Sequence, residues 1–467
     1  MLPVIMTQCA YTLKTAPDLK TRILNHDMAA PRYTSYPSAP FFKADFEPLH
    51  QKVWLEGLPE GEGISLYIHI PFCKQLCYYC GCHTFVANKA QMVTDYLASL
   101  YQELALLADR LPARMKLTHL HFGGGSPTYL SATQFTELME QIRKHFRLSE
   151  GKTEVAIEAD PRNLGEARIA AYARENVTRI SLGVQDIDAR VMEAVNRAQP
   201  FHLSWSAVQL ARDYGIHEIN LDLMYGLPGQ TTVTIARGVE TLLSLQPDRV
   251  AFFGYAHVPW MKKHMGMMGG LHLPDASERF DLYETGRAIL LQAGYLPVGI
   301  DHFVRPTDSM ARALANRTLQ RNFQGYTTDA AHTLIGVGAS AISRFNQGFT
   351  QNIADLRLYH KTIAEGRLPL NKGLELTKCD KIQSRVISEI MCYMGVDLAQ
   401  IRSIFGLNAN YFDQDVAYLA PLLEDGLIAL NGDNLRIHHP HVARLAALAF
   451  DRRHDHHLAA PRHSKVI

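Results

Sequence analysis

HIPFCKQLCYYCGC (69–82) sets Cys73, Cys77, Cys80 and Cys82 within ten positions, at the spacing C-x3-C-x2-C-x-C. Immediately before the thiols stands ISLYIHI (64–70), a β-branched, apolar run that reads as a buried strand. Thiolates at such short intervals suit an iron–sulfur cluster, in which each iron takes its own sulfur ligand. With Cys73, Cys77 and Cys80 as ligands, one iron of a four-iron cubane is left without a protein ligand. The competing readings are inert thiols and a zinc knuckle with Cys82 as fourth ligand. Structural zinc usually takes two separated pairs that pinch the ion from two sides, and four cysteines in one loop fit that poorly. A strand that opens into such a loop and then enters a helix reads as the first unit of a βα series.

The rhythm continues outward. LTHLHF (117–122), EVAIEAD (154–160), RISLGV (179–184), EINLDLMYG (218–226) and RVAFFGYA (249–256) are further strand-like runs, separated by amphipathic stretches. In MVTDYLASLYQELALLADRL (92–111), Leu97, Leu100, Leu104 and Leu107 keep the spacing of one helix face. Strand and helix alternating six times predict an α/β fold with a parallel sheet, as an incomplete (β/α)6 TIM-like barrel or an open sheet. The Met-, Gly- and His-rich segment 261–274 reads as a mobile loop. Further elements surround YLPVGIDHF (295–303) and NFQGYTT (322–328). Residues 1–55 form an N-terminal extension, in which PRYTSYPSAPFF (31–42) excludes regular helix. The barrel unit spans 56–370. From 371 to 467, three short helices and LIALNGDNLRIH (427–438), a hairpin with an Asn-Gly turn, predict a winged-helix-like C-terminal domain. The tail is rich in histidine, and HDHH (454–457) reads as solvated rather than metal-binding.

Composition narrows the classes. Lys and Arg number 47 against 46 Asp and Glu, a net charge of +1. That lacks the basic excess of a polyphosphate binder, so the winged unit reads as a lid or packing domain, not a nucleic-acid module. At 47% hydrophobic and 20% charged, the chain has ample apolar surface for a folded core. No run reaches about 18 uninterrupted apolar residues, so no membrane span is expected, and the first twenty residues lack the pattern of a signal peptide. Seven cysteines are an odd, uneven set that suits a reducing, cytoplasmic compartment better than a disulfide framework.

Polar groups fall where a barrel would use them. GGGSPT (123–128) ends the second strand. Glycines let the backbone approach a ligand, and exposed N–H groups can meet a carboxylate; a plain tight turn is the alternative. Glu158, Gln185 and Asp222 end the third, fourth and fifth strands, at the face where barrel active sites lie. His69 is either a structural donor or a catalytic group.

These motifs, with PRYTSYP (31–37), SLYIHIPFC (65–73), IEADPR (157–162), SLGVQD (181–186), NLDLMYGLP (220–228), GIDHF (299–303) and the terminal SKVI (464–467), resemble the oxygen-independent coproporphyrinogen III oxidases, a family of radical S-adenosylmethionine enzymes. The resemblance covers nearly the whole chain. The Cys-Gly-Cys ending separates it from heme-chaperone relatives, which carry Asp-Phe after the third cysteine. It implies a 4Fe-4S cluster on Cys73, Cys77 and Cys80, with the open iron chelating S-adenosylmethionine, and two molecules of that cofactor. Tyr67, Gly124 and Glu158 go to the first molecule. Tyr79, Gly125, Ser126, Gln185, Arg197, Asp222, Ala256 and Ile342 go to the second. The family more often has Thr at Ser126, which keeps a hydroxyl, and often Phe at Tyr79, whose hydroxyl needs a partner if buried. Tyr67, His69 and Cys82 stand as catalytic candidates, although the role of Cys82 does not follow from spacing.

The implied reaction starts from a 5′-deoxyadenosyl radical. It abstracts hydrogen from a propionate β-carbon, and loss of CO2 and one further electron leaves a vinyl group. Two such decarboxylations convert coproporphyrinogen III to protoporphyrinogen IX, in a monomer served by an electron donor and an acceptor that the sequence does not name. Four propionates on the substrate call for Arg, Lys and Tyr in its site. Arg32, Tyr33, Asp301, His302, Arg305 and Gln324 lie in family-like segments and are the candidates.

Overall fold

The computed structural model describes residues 18–149, 151–454 and 464–467. All six strand-like runs are strands: β1 Gly63–Ile70, β2 Lys116–Gly124, β3 Glu154–Ala159, β4 Arg179–Gln185, β5 Glu218–Tyr225 and β6 Arg249–Gly254. Each pairs in parallel with its sequence neighbour. The apolar residues of β1, Ile64, Leu66, Ile68 and Ile70, are buried beneath the crossover helices. Side chains alternate across a strand, so the register brings Tyr67, His121, Glu158, Ser181 and Asp222 to the other face.

The helices that cover the sheet are α1 Ala90–Ala108, α2 Ala132–His145, α3 Glu166–Arg174, α4 Phe201–Asp213 and α5 Thr232–Leu243. Leu97, Leu100, Leu104 and Leu107 are all buried, as their spacing predicts. Reciprocal caps start α2 (Ser131 with Gln134) and α5 (Thr231 with Thr234), each satisfying amides that the first helical turn leaves open.

Beyond β6 the pattern changes. Helix α6 (Ala276–Gln292) leads to β7 (Leu296–Val298) and β8 (His302–Val304), and β8 runs antiparallel along β6. The hairpin β9 (Gln320–Asn322) and β10 (Gly325–Thr327) follows. Strand β11 (Leu334–Val337) then joins the free side of β1 as a seventh parallel strand, continued by antiparallel β12 (Ile342–Arg344), β13 (Gly348–Asn352) and β14 (Leu370–Glu375). The path β7–β8–β6–β5–β4–β3–β2–β1–β11–β12–β13–β14 has two ends that do not pair with each other, so the barrel stays incomplete. Near the strand starts, charged side chains fill the interior: Arg249 pairs with Asp308 at 2.9 Å, Arg179 with Glu154 at 3.3 Å and with Glu218, and His119 with Asp329 at 3.1 Å.

β14 carries residues 371–375 into the main sheet, and the helical unit begins at α7 (Lys378–Tyr393). Helices α8 (Leu398–Phe405), α9 (Asp413–Ala417) and α10 (Ala420–Glu424) follow, so the third predicted helix is two, with Pro421 in the first turn of the second. Strands β15 (Gly395–Asp397), β16 (Ile428–Asn431) and β17 (Asn434–Ile437) form the wing, and α11 (Pro440–Ala449) closes the unit. Its core also takes Ile23, Ala30, Tyr33 and Tyr36 from the N-terminal extension and Val466 and Ile467 from the tail. Arg444 on α11 ties the N-terminal extension to the tail, donating to the carbonyls of Ala30, Pro31, Ser464 and Lys465.

One expectation is corrected. Segment 261–274 is not a free loop: Lys263–Met268 is a 3-10 helix, and Met265 and Met268 are buried against Cys77 and Tyr79. Apolar methionine side chains found a core to fill there, which composition alone did not reveal. Among the described residues no helix is long and apolar enough to cross a membrane. Most of HDHH lies outside the described residues.

Candidate active site

The chain leaves β1 at Ile70 and enters the thiol loop, which neighbouring elements hold from several sides. The Tyr78 amide donates to Val195 O (3.0 Å), Asn196 Nδ2 to Leu76 O (2.8 Å) and Thr84 Oγ1 to Cys73 Sγ (3.1 Å). From the buried methionine segment, His264 Nε2 donates to Cys80 O (2.8 Å) and Lys262 Nζ to Cys82 O (3.0 Å). Sequence reasoning missed these two clamps, because nothing in the local composition ties residues 262 and 264 to a loop some 180 positions away.

The thiols differ in environment. Cys77 is buried, Cys73 and Cys80 half-buried, and Cys82 exposed. A hydrogen bond from the Cys82 thiol holds Cys80 down at about 7, while burial pushes Cys73 up to about 11. Arg197, itself buried, reaches Cys77 Sγ with Nη1 at 3.5 Å, donates from Nη2 to Gly183 O at 2.7 Å and faces Asp160 Oδ2 at 3.5 Å. Among the described residues no three ligand side chains gather tightly enough for a single ion. A cubane does not require that, since its thiolates bind separate irons. Three thiols on one loop, one with a cation beside its sulfur, fit a cluster, with Cys82 engaged by Cys80.

Beside the loop lies the glycine turn, where each position is sterically demanded. A Cβ on Gly123 would come 2.9 Å from Glu158 Oε1, one on Gly125 2.7 Å from Thr84 Oγ1, and one on Gly124 2.6 Å from the His69 ring. Gly124 also sits at φ +115°, where a side chain is strained. The expectation of exposed amides is corrected. Gly124 N–H donates to Glu158 Oε2 (3.2 Å), Gly125 N–H to Ile70 O (2.8 Å) and Ser126 N–H to Phe72 O (2.9 Å). With these donors taken, the turn offers a ligand acceptors, the complement of an ammonium group. The Ser126 hydroxyl is buried against Thr128 Oγ1 at 2.6 Å.

Tyr67 and His69 form a relay of hydrogen bonds beneath this turn. The Tyr67 hydroxyl meets His69 Nδ1 at 3.0 Å, and His69 Nε2 meets His83 O at 3.0 Å. The carbonyl can only accept, so Nε2 carries the proton and Nδ1 accepts from Tyr67. Burial pushes His69 down to about 4. Both nitrogens of a neutral ring are thus committed, as the structural alternative requires.

Glu158 also faces His121 Nε2 at 3.3 Å. Asp222 accepts from Asn220 Nδ2 at 2.7 Å and from Ser181 Oγ at 3.2 Å; burial, reinforced by Glu158, pushes it up to about 7. Glu158, Asp222, His302 and Gln324 line one interior cavity of about 180 Å³. Gln185 ends β4 at φ +70°, beside a break in register with β5. Tyr79 is buried with its hydroxyl against Cys77, which answers its need for a partner. Ala256 follows β6 and Ile342 opens β12, at opposite flanks of the parallel strands. One substrate candidate is otherwise engaged, and another lies apart from the thiols. The Tyr33 hydroxyl donates to Asp451 at 3.0 Å, and the Arg305 amide donates to Asp248 O just before β6, at the strand starts, away from the thiols.

A partial parallel barrel whose first strand opens into a three-thiol loop beside a glycine turn defines a class, and the Radical SAM superfamily model matches residues 67–241. More particular relatives extend over the whole chain. The oxygen-independent coproporphyrinogen III oxidase of Bradyrhizobium diazoefficiens is 42% identical over 423 residues, covering 90% of this chain and 94% of that one. That of Paracoccus denitrificans is 39% identical, covering 94% and 97%. The solved structure of the Escherichia coli coproporphyrinogen III oxidase, a radical SAM enzyme, matches with a TM-score of 0.85 and 35% identity, over 91% of this chain and 98% of that one. The chain belongs to the oxygen-independent coproporphyrinogen III oxidase family.

Proposed function

We propose that this enzyme decarboxylates two propionate side chains of coproporphyrinogen III to vinyl groups, giving protoporphyrinogen IX without oxygen. One observation carries the reading. The thiol loop, the glycine turn and the carboxylates Glu158 and Asp222 meet around the strand ends of a barrel, in a chain that matches curated oxidases of that name nearly end to end. When bound, a 4Fe-4S cluster and S-adenosylmethionine supply a one-electron reductant and a hydrogen-abstracting radical.

Cys73, Cys77 and Cys80 hold the cluster. Gly124, Glu158 and Tyr67 face the first S-adenosylmethionine, whose ammonium group suits the acceptors of the glycine turn. Tyr79, Gly125, Ser126, Gln185, Arg197, Asp222, Ala256 and Ile342 are assigned to a second molecule, and Arg197 steadies Cys77 as well. Cys82 modulates Cys80. An unidentified donor and acceptor complete the electron balance, and the enzyme works as a monomer in the cytoplasm.

Anaerobic reconstitution with iron and sulfide, followed by incubation with coproporphyrinogen III, tests this. The expected result is protoporphyrinogen IX formed only when S-adenosylmethionine and a reductant are present. Iron incorporation without decarboxylation, together with tight heme binding, would overturn it in favour of a heme-carrying relative.

A further inference from the structure

Where β5 and β6 end, a second cavity of about 50 Å³ gathers four guanidinium groups, Arg32, Arg279, Arg321 and Arg444. They come from the N-terminal extension, α6, β9 and α11. The carboxylate in the lining is Asp301, already bonded to His302 Nδ1 at 2.7 Å. Lys465, also at the wall, pairs with Asp27 at 2.9 Å. Among the described residues, none of the four arginines has a carboxylate within 4.0 Å.

Their contacts are with neutral groups. Arg32 donates to Gly254 O at 2.8 Å. Arg321 donates to Tyr33 O at 3.3 Å, lies over the Tyr326 ring, and leaves Nη1 buried without a partner. Arg444 serves carbonyls of the N-terminal extension and the tail. The Arg279 side chain makes no hydrogen bond among the described residues; its guanidinium stands 5.5 Å from the Tyr225 ring, in space that a Cβ on Gly226 or Gly254 would invade. Asp301 offsets part of the charge of Arg32 and Arg321, but four like charges around one carboxylate still repel, and unpaired buried charge is costly. Burial and the nearby Arg32 bring Arg444 down to about 9. A bound anion would relieve both effects. The space suits a carboxylate, at roughly 30 Å³ per water displaced, and is too small for a macrocycle. Tyr225 lies three positions beyond Asp222 on β5, and Gly254 two before Ala256, so the cleft lies at the C-terminal ends of strands that carry proposed cofactor residues.

We infer that this arginine cleft is a carboxylate subsite that grips one propionate of the tetrapyrrole and so orients the ring against the strand ends. The inference rests on the function proposed above. Guanidinium groups suit the task because their planar donors match a carboxylate in pairs.

The test uses the anaerobically reconstituted full-length enzyme and two variants, Arg279→Ala and Arg32→Ala. The second removes a side chain with a single backbone hydrogen bond, so it keeps the question open if the first misfolds. The expected result is a KM for coproporphyrinogen III raised roughly ten-fold or more, the scale of one charge-assisted hydrogen bond. Cluster absorption and the KM for S-adenosylmethionine stay at wild-type values, and Arg279→Lys falls between. Affinity for coproporphyrin III, read by fluorescence, drops in the variants towards that of its tetramethyl ester. A raised KM for S-adenosylmethionine instead would assign the cleft to the cofactor's carboxylate and overturn the inference. So would unchanged KM values in active variants. A wild-type enzyme that forms no protoporphyrinogen would sink the functional reading itself, and this subsite with it.

Discussion

Arg197 Nη1 stands 3.5 Å from Cys77 Sγ, while its Nη2 is anchored on Gly183 O at 2.7 Å. A strand-end carbonyl thereby fixes a cation within hydrogen-bond reach of the sulfur proposed as a cluster ligand. Arg197→Ala should lower the iron retained after reconstitution, not only cofactor affinity. The loss should be about 1.5–3 kcal/mol, the scale of a hydrogen bond to a charged group. Iron analysis and visible absorption of the variant, with Arg197→Lys as the partial case, provide the measurement. Full iron content in Arg197→Ala would contradict the role.

The four clustered cysteines should separate cleanly. Cys73→Ala, Cys77→Ala or Cys80→Ala should abolish the cluster absorption. Cys82→Ala should retain about four irons per chain, because its thiol is a hydrogen-bond partner of Cys80 rather than a ligand. Iron lost equally in all four variants would make Cys82 a ligand.

Gly124 is expected to be intolerant of any side chain. Gly124→Ala places a methyl 2.6 Å from the His69 ring at φ +115°. The expected destabilisation is about 1–3 kcal/mol from overpacking, with loss of S-adenosylmethionine binding. Shortening the neighbour should recover part of it. In a double-mutant cycle with His69→Ala, the two effects should fall short of additive. Strict additivity in denaturant unfolding would show that the close approach is not what matters.

Asp222 carries a pH signature. Its folded value near 7 exceeds the ordinary 3.8, so between those values the folded state binds the extra proton. Stability from this group is therefore complete below about pH 4 and is lost as pH rises towards and through 7. Buried Glu103, also pushed up to about 7, acts in the same direction, so the informative quantity is a difference. Relative to Asp222→Asn, the cofactor-free wild type should lose up to about 4 kcal/mol between pH 4 and 8. Urea unfolding at several pH values measures it, and a difference that does not change with pH would refute the shift.

Much of the site was legible because its signals are local. The thiol spacing, the glycine run and the six strand periods each lie within a short window of chain, and the structure places them at adjoining strand ends. Glu158 was readable as a strand-end carboxylate, but not as the acceptor of the Gly124 amide. Local sequence leaves the amides of the glycine turn open to a ligand, since their partners, Ile70 O, Phe72 O and Glu158, come from other strands and loops. The methionine segment is not legible in sequence either, because whether Met265 and Met268 find a core depends on what packs above them.

By itself, the sequence determined the βα series, the thiol loop and the family, since strand period, helix period and ligand spacing are properties of consecutive residues. Only the tertiary structure decided that the sheet stays open, with β11 as a seventh parallel strand on the far side of β1. It alone set Arg197 on Cys77, and it alone drew Arg32, Arg279, Arg321 and Arg444 into one cleft. Those four arginines span more than four hundred positions of chain, and no local pattern marks them as a group. Their proximity is a consequence of packing, when the N-terminal extension and the C-terminal helix close over the strand ends.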